Sequence, residues 1–347
     1  MNDIFLLDSG AFSVWNSGET IDLNAYIQFC VENPGCSYFV NLDVIPGKPN
    51  DVKSMTDEII EASCKKGWDN YHQMLRHLPG EKVIPVFHQS DSFKWLERYI
   101  DFGAPYVGIS PGNDRTTDQK MGWLMEVKKI ICNSQGQPVI KTHGFAVTSF
   151  RLMKAFPWFS VDSASWVRQA AYGTIYVPHL RKDGFIYDVS PFLLSMSPKS
   201  PSREERQAHI TTLSPTVKAQ VDRYLSELKM SVGKFEVVDV ERGYKKKDDE
   251  LWWEKGKKNK VMRILERGLM TAHQQRFWAN MKFIQRANEA LDLEHIFFAG
   301  ADGSLLPQIE FRLKRRLMSY HSIMSSKAAR EVFGQYMERA GSTARVA

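Results

Sequence analysis

Short apolar runs alternate with amphipathic stretches along the first half of the chain. The runs lie at 4–8, 38–44, 82–88, 105–110, 138–143 and 158–162. Apolar runs of this length, bounded by small or polar residues, are typical of buried parallel strands. The stretches between them have helical spacing and begin near N-cap residues such as Asp22, giving helices over 23–31, 51–78, 92–102, 118–132 and 148–156. Six strands alternating with helices predict a parallel α/β fold.

The pattern changes beyond about residue 170. A seventh strand is predicted at 174–177 and a hairpin at 185–189. Ser200-Pro201 and Ser214-Pro215 each indicate a helix start, 233–260 is irregular and charged, and helical periodicity returns over 261–291. An eighth strand is predicted at 295–300 and a final helix at 306–324, with the basic run 312–316 on its exposed face.

These elements predict a TIM-type (β/α)8 barrel with a helical, charged insertion after the seventh strand. The expected division is 1–190 for strands one to seven, 191–293 for the insertion, and 294–347 for the last strand and C-terminal helices. A doubly wound sheet with a helical domain is the alternative.

Composition narrows the class of protein. The 347 residues are 43% hydrophobic and 25% charged, as in globular proteins of one or two domains. No apolar run approaches the ~18 residues of a membrane span, and the chain enters a strand directly, so we expect a cytoplasmic protein without a signal peptide. Four cysteines without CxxC spacing argue against structural zinc, and the net charge of +6 is compatible with a polyanionic partner. No P-loop or GxGxxG motif is present, so no cofactor is expected.

Polar or small residues stand at the predicted strand ends. They are Asp8, Asp43, His88, Gly108 with Ser110, His143 with Gly144, and Asp162. Each alone has a structural explanation, such as a turn closing a strand. Because carboxyl ends of parallel strands share one edge, the set predicts an active site there.

The chemistry of such a site can be derived from the residue types. Phe12 and His143 offer flat faces, Asp43 and His88 offer hydrogen bonds, and glycines allow close approach, which suits a purine-like heterocycle. Two carboxylates beside that pocket are the minimal requirement for glycosyl transfer, one as nucleophile and one as acid/base.

Several stretches resemble the tRNA-guanine transglycosylase superfamily, most closely its DpdA-type branch of phages and bacterial islands, which exchanges guanine in DNA for a 7-deazaguanine. They are LLDSGAF (6–12), VNLDV (40–44), PVFHQSDSFKWLERY (85–99), YVGIS (106–110), IKTHGFAVTSFRLMKAFPWFSVDSASW (140–166) and YGTIYVP (172–178). The pairing of the HGF segment with VDS about 18 residues later is the most specific of these signals.

The resemblance implies a role for each matching residue. Asp162 matches the nucleophile that holds the sugar covalently, and Asp8 matches the general acid/base. Asp43 matches the carboxylate that binds the amino edge of the purine, His88 occupies the position of a base-reading glutamine, and Gly108 matches a backbone contact. The resemblance and the strand-end pattern together predict base binding at Phe12, Asp43, His88, Gly108, Ser110, His143 and Gly144, and the resemblance implies that Phe12 and His143 sandwich the heterocycle.

Two departures from the tRNA enzymes affect the expected substrate. Their zinc site has no counterpart here, and their arginine-rich segment is reduced to Arg168. Residues 241–260 carry eight basic and five acidic residues, with aromatic residues interleaved, which suits phosphate contacts and base stacking; a solvated insertion is the alternative. The nucleic-acid contacts expected are Arg168, Lys245, Lys246, Lys247, Trp252, Trp253, Lys257 and Lys258.

The function expected is exchange of guanine in DNA for a free 7-deazaguanine base through a covalent aspartyl intermediate. The same exchange on tRNA and an inactive nucleic-acid-binding barrel are the alternatives. The location would be the cytoplasm, that of the host for a phage protein. The inserted base, the nucleic-acid sequence and the oligomeric state, a homodimer among the options, are left open.

Overall fold

The computed structural model describes residues 4–49, 51–147, 149–200, 208–254, 256–291, 295–300 and 315–319, with 324, 330, 333 and 334. Two compact units divide the chain. The first comprises Met1–Ala164 with Leu293–Ala347, and the second is Ser165–Asp292.

The first unit is a mixed α/β structure around a parallel sheet. Its strands are β1 (Ile4–Asp8), β2 (Tyr38–Val40), β3 (Val83–Ile84), β4 (Val86–His88), β5 (Tyr106–Ser110), β6 (Lys141–Gly144) and β7 (Ser160–Ser163). Its helices are α1 (Ala11–Ser17), α2 (Leu23–Glu32), α3 (Asp57–Leu75), α4 (Phe93–Asp101), α5 (Thr117–Ile131) and α6 (Phe150–Ala155), with 3-10 turns at Val52–Ser54 and Gly80–Lys82. The six predicted strands and the helices between them are confirmed to within a few residues.

Side-chain caps account for where helices α2 and α5 begin. The Asp22 carboxylate accepts from the Ala25 N–H at 2.7 Å, as predicted. Thr116 and Gln119 form a capping box at the start of α5. Each cap satisfies a donor that the first helical turn leaves without a partner.

The second unit consists of helices and small antiparallel sheets. Its elements in chain order are α7 (Ser165–Ala171), β8 (Thr174–Val177), β9 (His179–Arg181), β10 (Gly184–Ile186), β11 (Phe192–Ser195), α8 (Pro215–Leu228), β12 (Lys234–Asp239), β13 (Glu250–Trp252), β14 (Lys260–Glu266) and α9 (His273–Ala290). Pairing is antiparallel between β8 and β11, between β9 and β10, and in the order β12-β14-β13. Its core contains Ile175, Val177, Tyr224 and Leu225.

Two further strands return the chain to the first unit. They are β15 (His295–Gly300) and β16 (Arg315–Ser319). The parallel sheet then has the order β3-β2-β1-β16-β15-β7-β6-β5-β4. The two ends of this order are the two halves of one segment, 83–88: Ile84 O accepts from Asn41 N and Pro85 O accepts from Gly108 N, each at 2.8 Å.

The predicted strand numbering is therefore corrected. Thr174–Val177 is a strand, but it pairs antiparallel with β11 and lies outside the parallel sheet. The seventh and eighth parallel strands are β15 and β16, so the second unit begins near residue 165, after the sixth strand, and not at 191. The run 174–177 has the apolar pattern of a parallel-sheet strand because Ile175 and Val177 are buried, but they are buried in the core of the second unit.

Two local predictions also change, and a third is confirmed. Residues 315–319 form a strand where a helix was predicted, because they pair with β1 on one side and β15 on the other. Of the predicted helix 306–324, the structure describes only these residues and residue 324. Residues 234–239, 250–252 and 260–266 form a sheet where an irregular segment and a helix start were expected. The Ser214 cap before Pro215 is confirmed, while 201–207 lie outside the described residues.

Candidate active site

Asp8 ends β1 at the carboxyl edge of the sheet. Burial, reinforced by the charges of Asp43 and Asp162, raises the pKa of its carboxyl to about 7; the N–H groups of Gly10 and Ser9 act in the opposite direction. A carboxyl with a pKa near 7 can both donate and accept a proton near neutral pH. Because the charges of Asp43 and Asp162 act on Asp8, the three carboxylates lie near one another at this edge.

Asp162, on β7, is held by the loop that follows β6. Its Oδ1 accepts from the backbone N–H of Ala146 at 2.7 Å, and His143 Nε2 lies 3.6 Å from the same oxygen. The Asp162 residue is 7% exposed. Ala146 has a φ of 52°, a left-handed conformation that is unfavourable for a residue with a Cβ. Backbone strain of this kind tends to occur where a donor must be aimed at a functional group.

Asp43 is tied to a charged histidine. His88 Nε2 lies 2.9 Å from Asp43 Oδ2, and its Nδ1 lies 3.4 Å from Asp91 Oδ2. Burial acts to lower the pKa of His88, but the charges and hydrogen bonds of Asp91 and Asp43 outweigh it and raise this pKa to about 10. His88 is therefore a cation at neutral pH and directs both ring N–H groups at carboxylates. The pKa of Asp91 is lowered, because the His88 cation and its hydrogen bonds outweigh the effect of burial.

The end of β2 is fixed by helix α3. Asn41 Nδ2 donates to Gly67 O at 2.9 Å, and Asn70 Nδ2 donates to Leu42 O at 2.7 Å. These side-chain bonds hold the backbone on which Asp43 is carried, where β2 has stopped making ladder bonds.

The predicted sandwich of a heterocycle between Phe12 and His143 is not formed by these side chains as they stand. Phe12 is 52% exposed on α1, but His143 is fully buried. The His143 ring packs edge-on against Phe145, with centroids 4.5 Å apart, and its Nδ1 lies 2.6 Å from Ser160 Oγ. His143 contacts Asp162 and offers no open face, so its expected role as a stacking surface is corrected.

The two glycines serve internal packing. A Cβ on Gly108 would lie 2.4 Å from Phe145 Cε2, and one on Gly144 would lie 2.8 Å from Val147 Cγ2. The space beside Gly108 is therefore filled by Phe145, where an approaching ligand was expected. Ser110, which pairs with His88 in the ladder, lies at the same edge and is partly exposed.

Sequence reasoning missed three contributors to this site. Asp91 could have been found from its i,i+3 spacing to His88 after a strand end. Ser160 and Ala146 give no such signal, since a buried serine and a backbone N–H are defined only by tertiary contacts.

The residues predicted to contact nucleic acid lie in the second unit. Arg168 is exposed on α7, and the basic residues of 241–260 that were predicted, Lys245, Lys246, Lys247, Lys257 and Lys258, are exposed. Lys257 is partly neutralised by Glu254, 2.7 Å away.

The aromatic residues of this region are partly engaged within the unit. Trp252 and Trp253 are half-buried, and Trp253 stacks on Phe235 with centroids 6.1 Å apart. The Tyr244 hydroxyl donates to the buried Glu250 at 2.8 Å. Part of the aromatic surface expected for base stacking therefore already packs against protein.

The described residues contain neither a candidate metal site nor a candidate membrane span. Within them, no group of three or more His, Cys, Asp and Glu side chains could hold a metal ion. No helix in that part of the chain is long and apolar enough to cross a membrane.

No family model matches the chain, and the search of curated proteins found no match. Among solved structures, the chain is similar to dihydrodipicolinate synthase from Oceanobacillus iheyensis, with 13% identity and a TM-score of 0.31. The aligned region covers 49% of this chain and 56% of that one, so it spans just over half the length of the matched structure.

Proposed function

We propose that this protein is a transglycosylase that exchanges guanine in DNA for a 7-deazaguanine derivative through a covalent aspartyl–glycosyl intermediate. The scaffold would be a (β/α)8-type barrel interrupted after its sixth strand. Its support is that the sheet begins and ends on the two halves of segment 83–88, so that eight parallel strands suffice for closure.

The observation that carries the proposal is the pairing of two unlike carboxylates at one edge of the sheet. Asp8 has a pKa of about 7, while Asp162 is held by the Ala146 N–H. One site can provide both an acid and a nucleophile when the surroundings of two neighbouring carboxyls favour protonation of one and ionisation of the other. A structural pair closing two strands would need neither the raised pKa nor the strained donor.

The reaction follows from these roles. Asp162 attacks the anomeric carbon, the bond from that carbon to the purine nitrogen breaks, and Asp8 gives its proton to the departing guanine. The incoming 7-deazaguanine then loses its proton to the Asp8 carboxylate and attacks the same carbon. The ester to Asp162 breaks, and both carboxyls return to their starting states.

Asp43 would bind the amino edge of the purine. His88 occupies one of its oxygens, and Ser9 Oγ lies 3.5 Å from the other, so lone pairs are left for a ligand's N–H groups. A guanine within a duplex must be flipped out to reach such a site, and the exposed lysines of 241–260 would bind the DNA backbone.

The test is a base-exchange assay with labelled guanine in duplex DNA, single-stranded DNA and tRNA. Wild type should release label from DNA and form an adduct that survives denaturation, because the intermediate is an ester. Asp162→Asn should do neither while retaining fold and DNA binding, whereas the exposed control Asp101→Asn should behave as wild type.

Three outcomes would contradict parts of the proposal. An adduct that persists in Asp162→Asn would move the nucleophile to another residue, Asp8 first. Exchange on tRNA with none on DNA would overturn the substrate assignment. Binding of nucleic acid without exchange on any substrate would favour the inactive barrel.

A further inference from the structure

A line of buried polar side chains runs through the sheet to Asp162. Tyr106 on β5 lies with its hydroxyl 2.5 Å from Ser160 Oγ, and Ser160 Oγ lies 2.6 Å from His143 Nδ1. The other ring nitrogen of His143, Nε2, lies 3.6 Å from Asp162 Oδ1. Ser160 and His143 have no exposed surface, and Tyr106 is 1% exposed.

The direction of the hydrogen bonds follows from counting donors. A buried phenol hydroxyl must donate, and Ser160 Oγ is the partner that Tyr106 has within the described residues. Burial also raises the pKa of Tyr106, so that it keeps its proton. Ser160 accepts from Tyr106 and directs its own hydrogen at His143 Nδ1, which must then be a bare acceptor.

The tautomer of His143 is thereby fixed. With Nδ1 accepting, the ring proton is on Nε2, the nitrogen that faces Asp162. The reverse order of donation would leave the Tyr106 hydrogen buried without an acceptor, which costs about 1–3 kcal/mol.

We propose that His143 is a positioning residue for Asp162, and that Tyr106 and Ser160 hold it in the tautomer whose Nε2–H faces the carboxylate. This inference rests on the proposed role of Asp162 as nucleophile. The Ala146 N–H donates to Asp162 Oδ1 at 2.7 Å, and the imidazole N–H faces the same oxygen from 3.6 Å, so that the second oxygen is left to attack the sugar. Because the ring is neutral, it orients the carboxylate without the charge of a full ion pair.

The experiment separates this role from simple packing. Nitrogen NMR of the full chain, labelled at its histidine rings, reports which ring nitrogen carries the proton. The His143 signal is assigned from its loss in His143→Gln, with His143→Met as a second variant should the first not fold. Wild type should show the Nε2–H tautomer.

Ser160→Ala should remove the hydrogen bond that keeps Nδ1 of His143 unprotonated. Its His143 should be protonated mainly on Nδ1, and the rate of adduct formation should fall roughly tenfold, because an unprotonated Nε2 would then face the Asp162 carboxylate. The matched control is Thr142→Val, which removes a buried hydroxyl that bonds Pro157 O and lies outside this line. It should leave both the tautomer and the adduct rate unchanged.

The outcomes distinguish this inference from the proposed function. A wild-type His143 protonated on Nδ1, or a Ser160→Ala variant with unchanged tautomer and rate, would overturn the positioning role. The Nε2–H tautomer without adduct on any substrate would instead refute the transglycosylase, and the positioning role with it.

Discussion

Replacing Asp8 by Asn should stabilise the protein while abolishing base exchange. The pKa of this carboxyl is about 7 in the folded protein, against an ordinary value of 3.8 for an aspartate. For a carboxyl whose folded pKa is raised, the stabilising contribution is fully present below the unfolded pKa and is lost as the pH rises through the folded pKa. Wild type therefore loses stability between about pH 4 and pH 7 from this residue, whereas the amide does not ionise.

The size of the effect follows from the shift. Each pH unit between the two pKa values contributes about 1.4 kcal/mol. Between about pH 5 and about pH 8, the unfolding free energy of Asp8→Asn relative to that of wild type should therefore increase by roughly 3 kcal/mol. The increase comes from the interval between about pH 5 and about pH 7, because only that part of the range lies below the folded pKa.

Urea denaturation of both proteins at the two pH values measures this difference directly. The exposed control Asp101→Asn should show a difference from wild type that hardly changes with pH. If the gap between Asp8→Asn and wild type were the same at both pH values, Asp8 would not have a raised pKa, and the assignment of an acid/base at this position would lose its physical basis.

Further predictions concern recognition, binding and the second unit. Asp43→Ala should weaken use of the free deazapurine about ten- to a hundredfold with little effect on DNA binding, and equal reductions in kinetic and binding assays would make Asp43 structural. Replacing Lys245, Lys246, Lys247, Lys257 and Lys258 together by alanine should flatten the dependence of DNA affinity on salt, by about 0.9 in the logarithmic slope for each phosphate that is no longer neutralised. An unchanged slope would show a solvated loop. Asn280→Ala removes bonds to Tyr176 N, Trp166 O and Thr174 O and should cost about 3 kcal/mol by calorimetry. The exposed Glu289→Ala should cost under about 0.5 kcal/mol. Similar losses of stability in Asn280→Ala and Glu289→Ala would show that the Asn280 hydrogen bonds do not stabilise the second unit.

The parallel strands could be predicted because their information is local. Several apolar runs end in a polar residue at the carboxyl edge, as β1 does at Asp8. Helices α2, α3, α5 and α8 begin at side-chain caps that the local sequence indicates. The neighbours of each strand in the sheet could not be predicted, because an apolar pattern shows that a strand is buried but not which strand pairs with it. Thr174–Val177 has the apolar pattern of a sheet strand but pairs with β11, while Arg315–Ser319 has a charged pattern and lies between β1 and β15.

The sequence predicted which strand-end side chains would come together, but not how they contact one another. Asp8, Asp43, His88 and Asp162 meet because strand ends share an edge. The orientation of His143 depends on Ser160, which is 17 residues away and has no distinguishing sequence context. Residue types at strand ends therefore indicate a site, whereas the direction of each hydrogen bond requires the packed structure.

The order of strands has a consequence for synthesis of the chain. β15 and β16 lie between β7 and β1 in the sheet. Until residues 295–319 are synthesised, β7 and β1 therefore each have one edge without a partner strand. The whole second unit is translated in the interval, which lasts on the order of seconds. During that time the nascent protein exposes two unpaired strand edges, which are templates for pairing with other chains. We expect a chaperone requirement to centre on this interval, and truncation after the second unit to produce aggregation that the full chain does not show.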